Sequence, residues 1–234
     1  MVHFHALCSL VHGTGMEAAN GEPPVQQAEM IQGCTSGSPN SQELSEGGVE
    51  VLLDRMKNIS RTFDEELPEE QKVQSFEFLK NQTAEVYDYP ITIDCSWEEH
   101  GFSLLSELYH EVGEILDDKF KTAYNLTYYT CGNKTHVDTY PFRRGVWNYL
   151  QCLYGIRHDY YDYRQVNKLL EANLKTFLKM VSCFPERLLP SEHSPPLMKG
   201  FLQSEKLHVV ILVVEAKLQA ELLYALRSIG RYLL

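Results

Sequence analysis

The chain lacks most of the features that announce a chemistry. Its six cysteines, Cys8, Cys34, Cys95, Cys131, Cys152 and Cys183, are scattered, with no Cys-x-x-Cys pair of the kind that nucleates a zinc site. There is no phosphate loop, no dinucleotide fingerprint and no Gly-x-Ser-x-Gly elbow. Glu98-Glu99-His100 lacks the second histidine of a helical zinc site, and His100 and His110 do not share a helix face. Cys152 and His158 are six residues apart and point in different directions along a helix. No catalytic, cofactor-binding or metal-binding residue is therefore expected, and the chain reads as a non-enzyme. Long apolar runs are missing too. The longest, Leu207–Val214, is far short of the roughly 20 residues that span a bilayer. The start, Met1–Gly15, has no basic flank and makes a poor secretory signal. Basic residues are few, 21 against 32 acidic, for a net charge of −11, which argues against nucleic acid as a partner.

What is present is helical periodicity. The 44 % apolar and 23 % charged content suits a folded chain. Residues 1–42 are the exception: Gly-, Pro- and Ser-rich, they predict a disordered leader. Residues 43–234 read as a single helical domain. Val49, Leu52, Leu53, Met56, Ile59 and Phe63 share one face at a 3.6-residue period. A second helix opens at Pro68 and runs to about Tyr87, with Val73, Phe76 and Leu79 inward. Tyr89–Ile93 reads as an extended connector. Ser96 and Glu99 form a capping box for a third helix, with Leu105, Leu108, Tyr109, Val112, Ile115, Leu116, Phe120 and Tyr124 on its dry side. Cys131-Gly132-Asn133 stops it, with Gly132 left-handed. Pro141 opens a fourth helix with Phe142, Val146, Tyr149, Leu150 and Leu153 inward. After a bend near Arg157–Tyr160, a fifth buries Val166, Leu169, Leu170, Leu174, Phe177 and Val181. A Pro-rich linker, 185–197, precedes a last helix to about Tyr232. The fold class is all-α: an array or bundle of five to six mostly antiparallel amphipathic helices.

Charge is distributed unevenly. Residues 43–118 hold 20 acidic and 5 basic side chains, whereas 141–187 hold 8 basic and 4 acidic. On the fifth helix Arg164, Lys168, Lys175 and Lys179 fall within about 60° of one another. Such a stripe is either an ordinary solvated face or a surface for an acidic protein or an anionic membrane. Arg143 and Arg144 sit at the positive end of the fourth helix, where cations are unwelcome without a partner. The acidic third helix is the obvious one, and Trp147 is one turn from Arg143, close enough to stack. Arg143, Arg144, Trp147, Arg164, Lys168, Lys175 and Lys179 are therefore the candidate partner-binding residues.

The string Arg143-Arg144-Gly145-x-x-x-Tyr149-x-x-Cys152, the basic helix through Lys168-Leu169-Leu170 to Phe177–Met180, and Leu105-Ser106-Glu107-Leu108-Tyr109 together resemble a small family. Its members are Rab-interacting accessory subunits of the Mon–Ccz guanine-nucleotide exchange complex. The resemblance implies a non-enzymatic adaptor that binds a late-endosomal Rab GTPase and its exchange factor, in endolysosomal traffic, autophagy and mitophagy. It also implies a cytoplasmic chain, peripheral on endolysosomal or mitochondrial membranes. The alternative is a secreted helical glycoprotein with disulfides and N-glycans. Four sequons, at Asn58, Asn81, Asn125 and Asn133, motivate that reading.

Overall fold

The computed structural model describes residues 48–61, 67–81, 96–126, 129–187 and 198–233. The leader 1–42, the connector 89–93 and most of the Pro-rich linker lie outside them. The described chain is all-α apart from one small hairpin. Helices α1 (Gly48–Arg61) and α2 (Glu69–Asn81) come first, then a π-helical turn at Trp97–Gly101. Helices α3 (Phe102–Leu108) and α4 (His110–Asn125) lead to the hairpin β1 (Thr130–Cys131) and β2 (Lys134–Thr135). Helix α5 (Tyr140–Leu153) follows, then α6 (Arg164–Leu169), α7 (Ala172–Cys183) and the long α8 (Gln203–Leu233).

Helix α5 is the centre. It packs against α1, α2, α6, α7 and α8, and the expected inner face of Phe142, Val146, Tyr149, Leu150 and Leu153 is buried. So are Asn148, Gln151 and Cys152, because neighbours cover nearly every side. On α8, Leu212, Ala216 and Ala220 are fully buried. The two alanines leave room for a close approach, and Gln151 Nε2 donates across it to the Ala216 carbonyl at 3.0 Å. Gly145 serves the same end: a Cβ there would meet Leu169 Cδ1 at 3.3 Å.

Three boundaries differ from expectation. Ser96 caps as expected, its Oγ accepting from the Glu99 N–H at 3.1 Å. The backbone then makes a π turn, and at Tyr109 it leaves the helical region (φ −150°, ψ 86°). That break resets the phase of everything beyond it. Leu108, Tyr109, Val112 and Ile115 are exposed, Leu116 and Tyr124 are half-buried, and α4 buries Gly113 and Ala123 beside the expected Phe120. The same helix ends at Asn125; Gly132 (φ +60°) turns the hairpin, as glycine does at the first position of a two-residue loop. Finally, the fifth helix is two. Leu170 is extended (φ −103°, ψ 117°) and Glu171 is the cap residue of α7. The apolar face survives the break, with Val166, Leu169, Leu170, Leu174 and Val181 buried.

Leu150, fully buried in the middle of α5, tests this centre. Leu150→Ala should lower stability by about 2–5 kcal/mol, read as a lower urea midpoint with an unchanged slope.

Candidate functional site

The end of α4, the hairpin, the start of α5 and the start of α8 meet at one point. Helix α4 leaves carbonyls without intrahelical partners at its C-terminus, where the macrodipole is negative. Two side chains supply donors. Arg143 Nη1 donates to the Tyr124 carbonyl at 2.7 Å and to Asn125 Oδ1 at 3.1 Å. His208 Nε2 meets the Ala123 carbonyl at 2.7 Å. Thr139 Oγ1 accepts from Arg143 Nε at 3.0 Å, and the guanidinium lies over the Tyr124 ring, 5.2 Å from its centroid. The residue is 2 % exposed.

Facing it across a narrow cavity is Glu205, 4 % exposed. Its carboxylate accepts from the Gly132 N–H at 2.9–3.0 Å and from the Leu202 N–H at 2.8 Å. The second bond has the geometry of a helix N-cap closed by a glutamate three residues on. The first ties the hairpin to α8. Phe142, Phe201, Val209 and Leu212 form apolar walls, and Thr130 and Thr139 line the same space. The cavity is small, ≈ 20 Å³, enough for about one water. Burial, and then the Glu205 charge, push the Cys131 thiol up to about 12, so it is no nucleophile at neutral pH.

The residues singled out from sequence fall in different surroundings. Arg143 is interior and stacks on Tyr124, whereas Trp147 sets its ring edge-on to Phe120 and Tyr124. Arg143 meets backbone and amide oxygens at the end of α4, while Glu107, Glu111, Glu114 and Asp118 face solvent. Arg144 is half-buried among Tyr140, Tyr160 and Tyr161 and donates to the Tyr160 carbonyl at 3.3 Å. The stripe is divided between two helices: Arg164, paired with Asp162, and exposed Lys168 lie on α6, Lys175 and Lys179 on α7. Lys175 Nζ reaches back to Asn167 Oδ1 at 2.8 Å. Sequence reading missed Glu205 and His208. Their signal was there: an acid and an imidazole on the face of α8 that otherwise carries Val209, Leu212 and Ala216.

The family model for the PA26 p53-induced protein (sestrin) matches residues 69–233. The chain belongs to the sestrin family. A sestrin homologue of Drosophila melanogaster is 51 % identical over 157 residues, covering 67 % of this chain and 31 % of the relative. Sestrin-2 of Homo sapiens is 36 % identical over 280 residues, all of this chain and 58 % of the relative. Sestrin-1 of Mus musculus is 48 % identical over 140 residues, or 60 % of this chain and 28 % of the relative. The chain spans less than two thirds of the length of these sestrins.

Sestrin membership overturns the adaptor reading. A Rab GTPase, the Mon–Ccz complex and an anionic membrane surface fall as partners, and endolysosomal traffic falls as the role. The resemblance rested on a string whose repeated positions, Arg143, Tyr149 and Cys152, are buried helix residues. Such a spacing records the demands of a helical core, which unrelated proteins share. The secreted glycoprotein goes too: Cys131, Cys152 and Cys183 are free thiols, and Asn125 Nδ2 donates to the Lys121 carbonyl at 2.9 Å. Among the described residues no helix is long and apolar enough to cross a membrane.

Two outcomes test this region of the sestrin chain. At Gly132 an added Cβ would stand 2.5 Å from the Gly200 carbonyl oxygen on a left-handed backbone. Gly132→Ala should therefore cost about 1–3 kcal/mol, measured by denaturant titration. Burial depresses the His208 ring below the ordinary histidine range; the Ala123 bond opposes this and the Arg143 charge adds to it. Burial, then the Arg144 charge, push His158 down to about 4 despite Asp159. Below about pH 6.5 the unfolded chain takes up protons that the folded chain refuses. Stability is thus full above that pH and falls as pH drops toward 4. Urea midpoints at about pH 7.5 and 5.5 check this, and His158→Gln with His208→Gln should narrow the gap between them.

Proposed function

We propose that this chain is a ligand-sensing helical module of a sestrin, binding a small zwitterion with an apolar tail. An α-amino acid with an aliphatic side chain has that chemistry. The observation that supports it is the pairing of Arg143 and Glu205, opposite charges buried in one apolar-walled cavity. A carboxylate matches the guanidinium fork, an ammonium matches the glutamate, and Phe142, Phe201, Val209 and Leu212 match the tail. Two buried charges of opposite sign hold both ends of such a ligand at a fixed separation, which selects for free amino acids over peptides.

Entry requires motion. The closed cavity holds about one water, so the segment Met198–Glu205 opens to admit the ligand and its turn re-forms over it. Met198 (φ +51°) holds a left-handed conformation there that residues with a side chain rarely adopt, next to Gly200 (φ +86°), where glycine permits it. Glu205 then exchanges a backbone N–H for the ligand's ammonium, which couples occupancy to the position of the hairpin and the start of α8. The module acts by binding and makes no bonds of its own. Its output reaches the stress-induced regulation of mTORC1 and AMPK signalling through signalling proteins that dock on the sestrin. The basic positions Arg164, Lys168, Lys175 and Lys179 belong to such a docking face.

Thermal-shift and calorimetric titration of the purified chain with leucine, isoleucine, valine and methionine test the reading. The expected result is saturable stabilisation by these, none by aspartate or lysine, and loss on N-acetylation or methyl esterification. Glu205→Gln and Arg143→Lys should each weaken binding by about 10–100-fold. Equal binding of the blocked amino acids, or none by any of the four, would overturn it.

A further inference from the structure

A second cavity, ≈ 230 Å³, is lined by Tyr124 and Asn125, the residues that accept from Arg143. The π turn, α4, α5, the turn at 158–160 and α8 line it, and it opens to solvent on one side. Trp97, Phe120, Tyr124 and Trp147 build one aromatic wall, locked ring edge to ring face. Trp97 and Phe120 are 4.9 Å apart at 88°, and Tyr124 and Trp147 5.6 Å apart at 82°. Trp97 is held further by its Nε1, which donates to Asp117 Oδ1 at 3.1 Å. The wall is thus set before any ligand arrives. π turns recur at functional sites because the extra residue re-aims a side chain, here Trp97.

Two polar side chains line this cavity with no partner for one atom each. Asn148, 3 % exposed, has no acceptor for Nδ2, and His158, 8 % exposed, has none for Nε2, among the described residues. A buried donor without an acceptor is destabilising; of the seven buried side-chain polar atoms without a partner among the described residues, these two belong to side chains that line one cavity. The other nitrogen of His158, Nδ1, is 3.3 Å from the Tyr160 hydroxyl. With that hydroxyl donating, Nε2 carries the ring proton and is a donor, as Asn148 Nδ2 is. Arg144 lines the same space as a third source of donors and a positive charge. Two carboxylates also line the cavity: Asp117 is already engaged by Trp97 and Lys121, and Glu98 is exposed to solvent.

Rings set edge to face offer a ligand both π faces and ring edges, which an aromatic ring complements better than an aliphatic one. Donors with a neighbouring cation select oxygen acceptors bearing negative charge. The volume exceeds the roughly 150 Å³ that holds a benzene ring, by about the size of one polar substituent. We infer that this cavity is a binding site for a single-ring aromatic carboxylate, its ring against Trp97 and Trp147 and its carboxylate on Asn148, His158 and Arg144. The site is distinct from the Arg143–Glu205 cavity and stands whether or not an amino acid binds there.

The chain has only two tryptophans, and both belong to this wall. Intrinsic fluorescence of the full 234-residue chain therefore reports occupancy directly. Titration with benzoate and with nicotinate should give a saturable change, and cyclohexanecarboxylate, which is not flat, a much weaker one. Asn148→Leu and His158→Phe should each weaken benzoate by about tenfold or more, while Asn148→Leu leaves the thermal midpoint equal or higher because it removes an orphaned donor. Should either fail to fold, Tyr160→Phe serves. Its side chain is mostly exposed, and loss of the hydroxyl frees the His158 tautomer and should weaken benzoate several-fold. No saturable change up to about 10 mM, equal binding of cyclohexanecarboxylate, or binding unaltered in all folded variants would overturn the assignment.

Discussion

A helix surrounded on nearly every side must find a partner for each polar group it carries, since water cannot reach it. Helix α5 is in that position. It carries Arg143, Asn148 and Gln151 among its buried residues. Much of the rest of the fold can be read as the answer to those three side chains. Arg143 reaches the open carbonyls at the end of α4, which fixes where α4 stops relative to α5. Gln151 reaches the Ala216 carbonyl and Gln219 on α8, which fixes the register of the two longest packed surfaces. Asn148 Nδ2 finds no acceptor and Gln151 Oε1 no donor among the described residues, and beside Asn148 lies the larger cavity.

The same requirement explains why so much of the helical pattern could be read in advance. Where a helix is long and amphipathic, its apolar period is the direct imprint of the core. For α5, and for α1 as far as Ile59, the expected inner positions are the buried ones; on α7 Leu174 and Val181 are buried as expected, while Phe177 is half-buried and Leu178 is buried beside it. The failures share one physical cause. Periodicity extrapolates along a continuous helix, and a single residue leaving the helical region rotates everything after it. Tyr109 does this between α3 and α4, and Leu170 between α6 and α7. Neither is glycine or proline, so neither carried a breaking signal. At Gly113 the chain comes so close to Ser106 that a Cβ would stand 2.4 Å from its hydroxyl. Tertiary packing of that hairpin outweighs local preference, and that packing cannot be seen from a short window of sequence.

The candidate site was only half legible, for a related reason. Two arginines at a helix start are conspicuous, because the dipole makes them costly there. Their partners were the hidden part. Arg143 pairs with the negative end of another helix, and backbone carbonyls have no signature in the sequence. Glu205 was hidden differently. A glutamate near the start of a helix is the most ordinary of capping choices. Only the fold shows that this one is buried, holds Gly132 from 73 positions away and faces Arg143. The family resemblance drawn from the Arg-Arg-Gly string failed on the other side of the same coin. It weighed buried helix positions as if they were recognition residues.

The two cavities share no lining residue, but hydrogen bonds from Arg143 to Tyr124 and Asn125 link a residue that lines the first to two that line the second. Any ligand that draws the Arg143 guanidinium toward its own carboxylate loosens the bonds that hold this turn. The ring of Tyr124 then loses the cation above it while keeping its edge contact with Trp147. Conversely, a ring seated against Trp147 and Tyr124 resists movement of the turn and so favours the geometry in which Arg143 stays bound to it. The two sites would then oppose each other, with a coupling limited to the difference in Arg143 interactions between the two states. Since the donors involved are few, that difference is on the order of one or two hydrogen bonds, about 1–3 kcal/mol. This is enough to shift affinity by about 5- to 150-fold without any change in the helices that frame the sites.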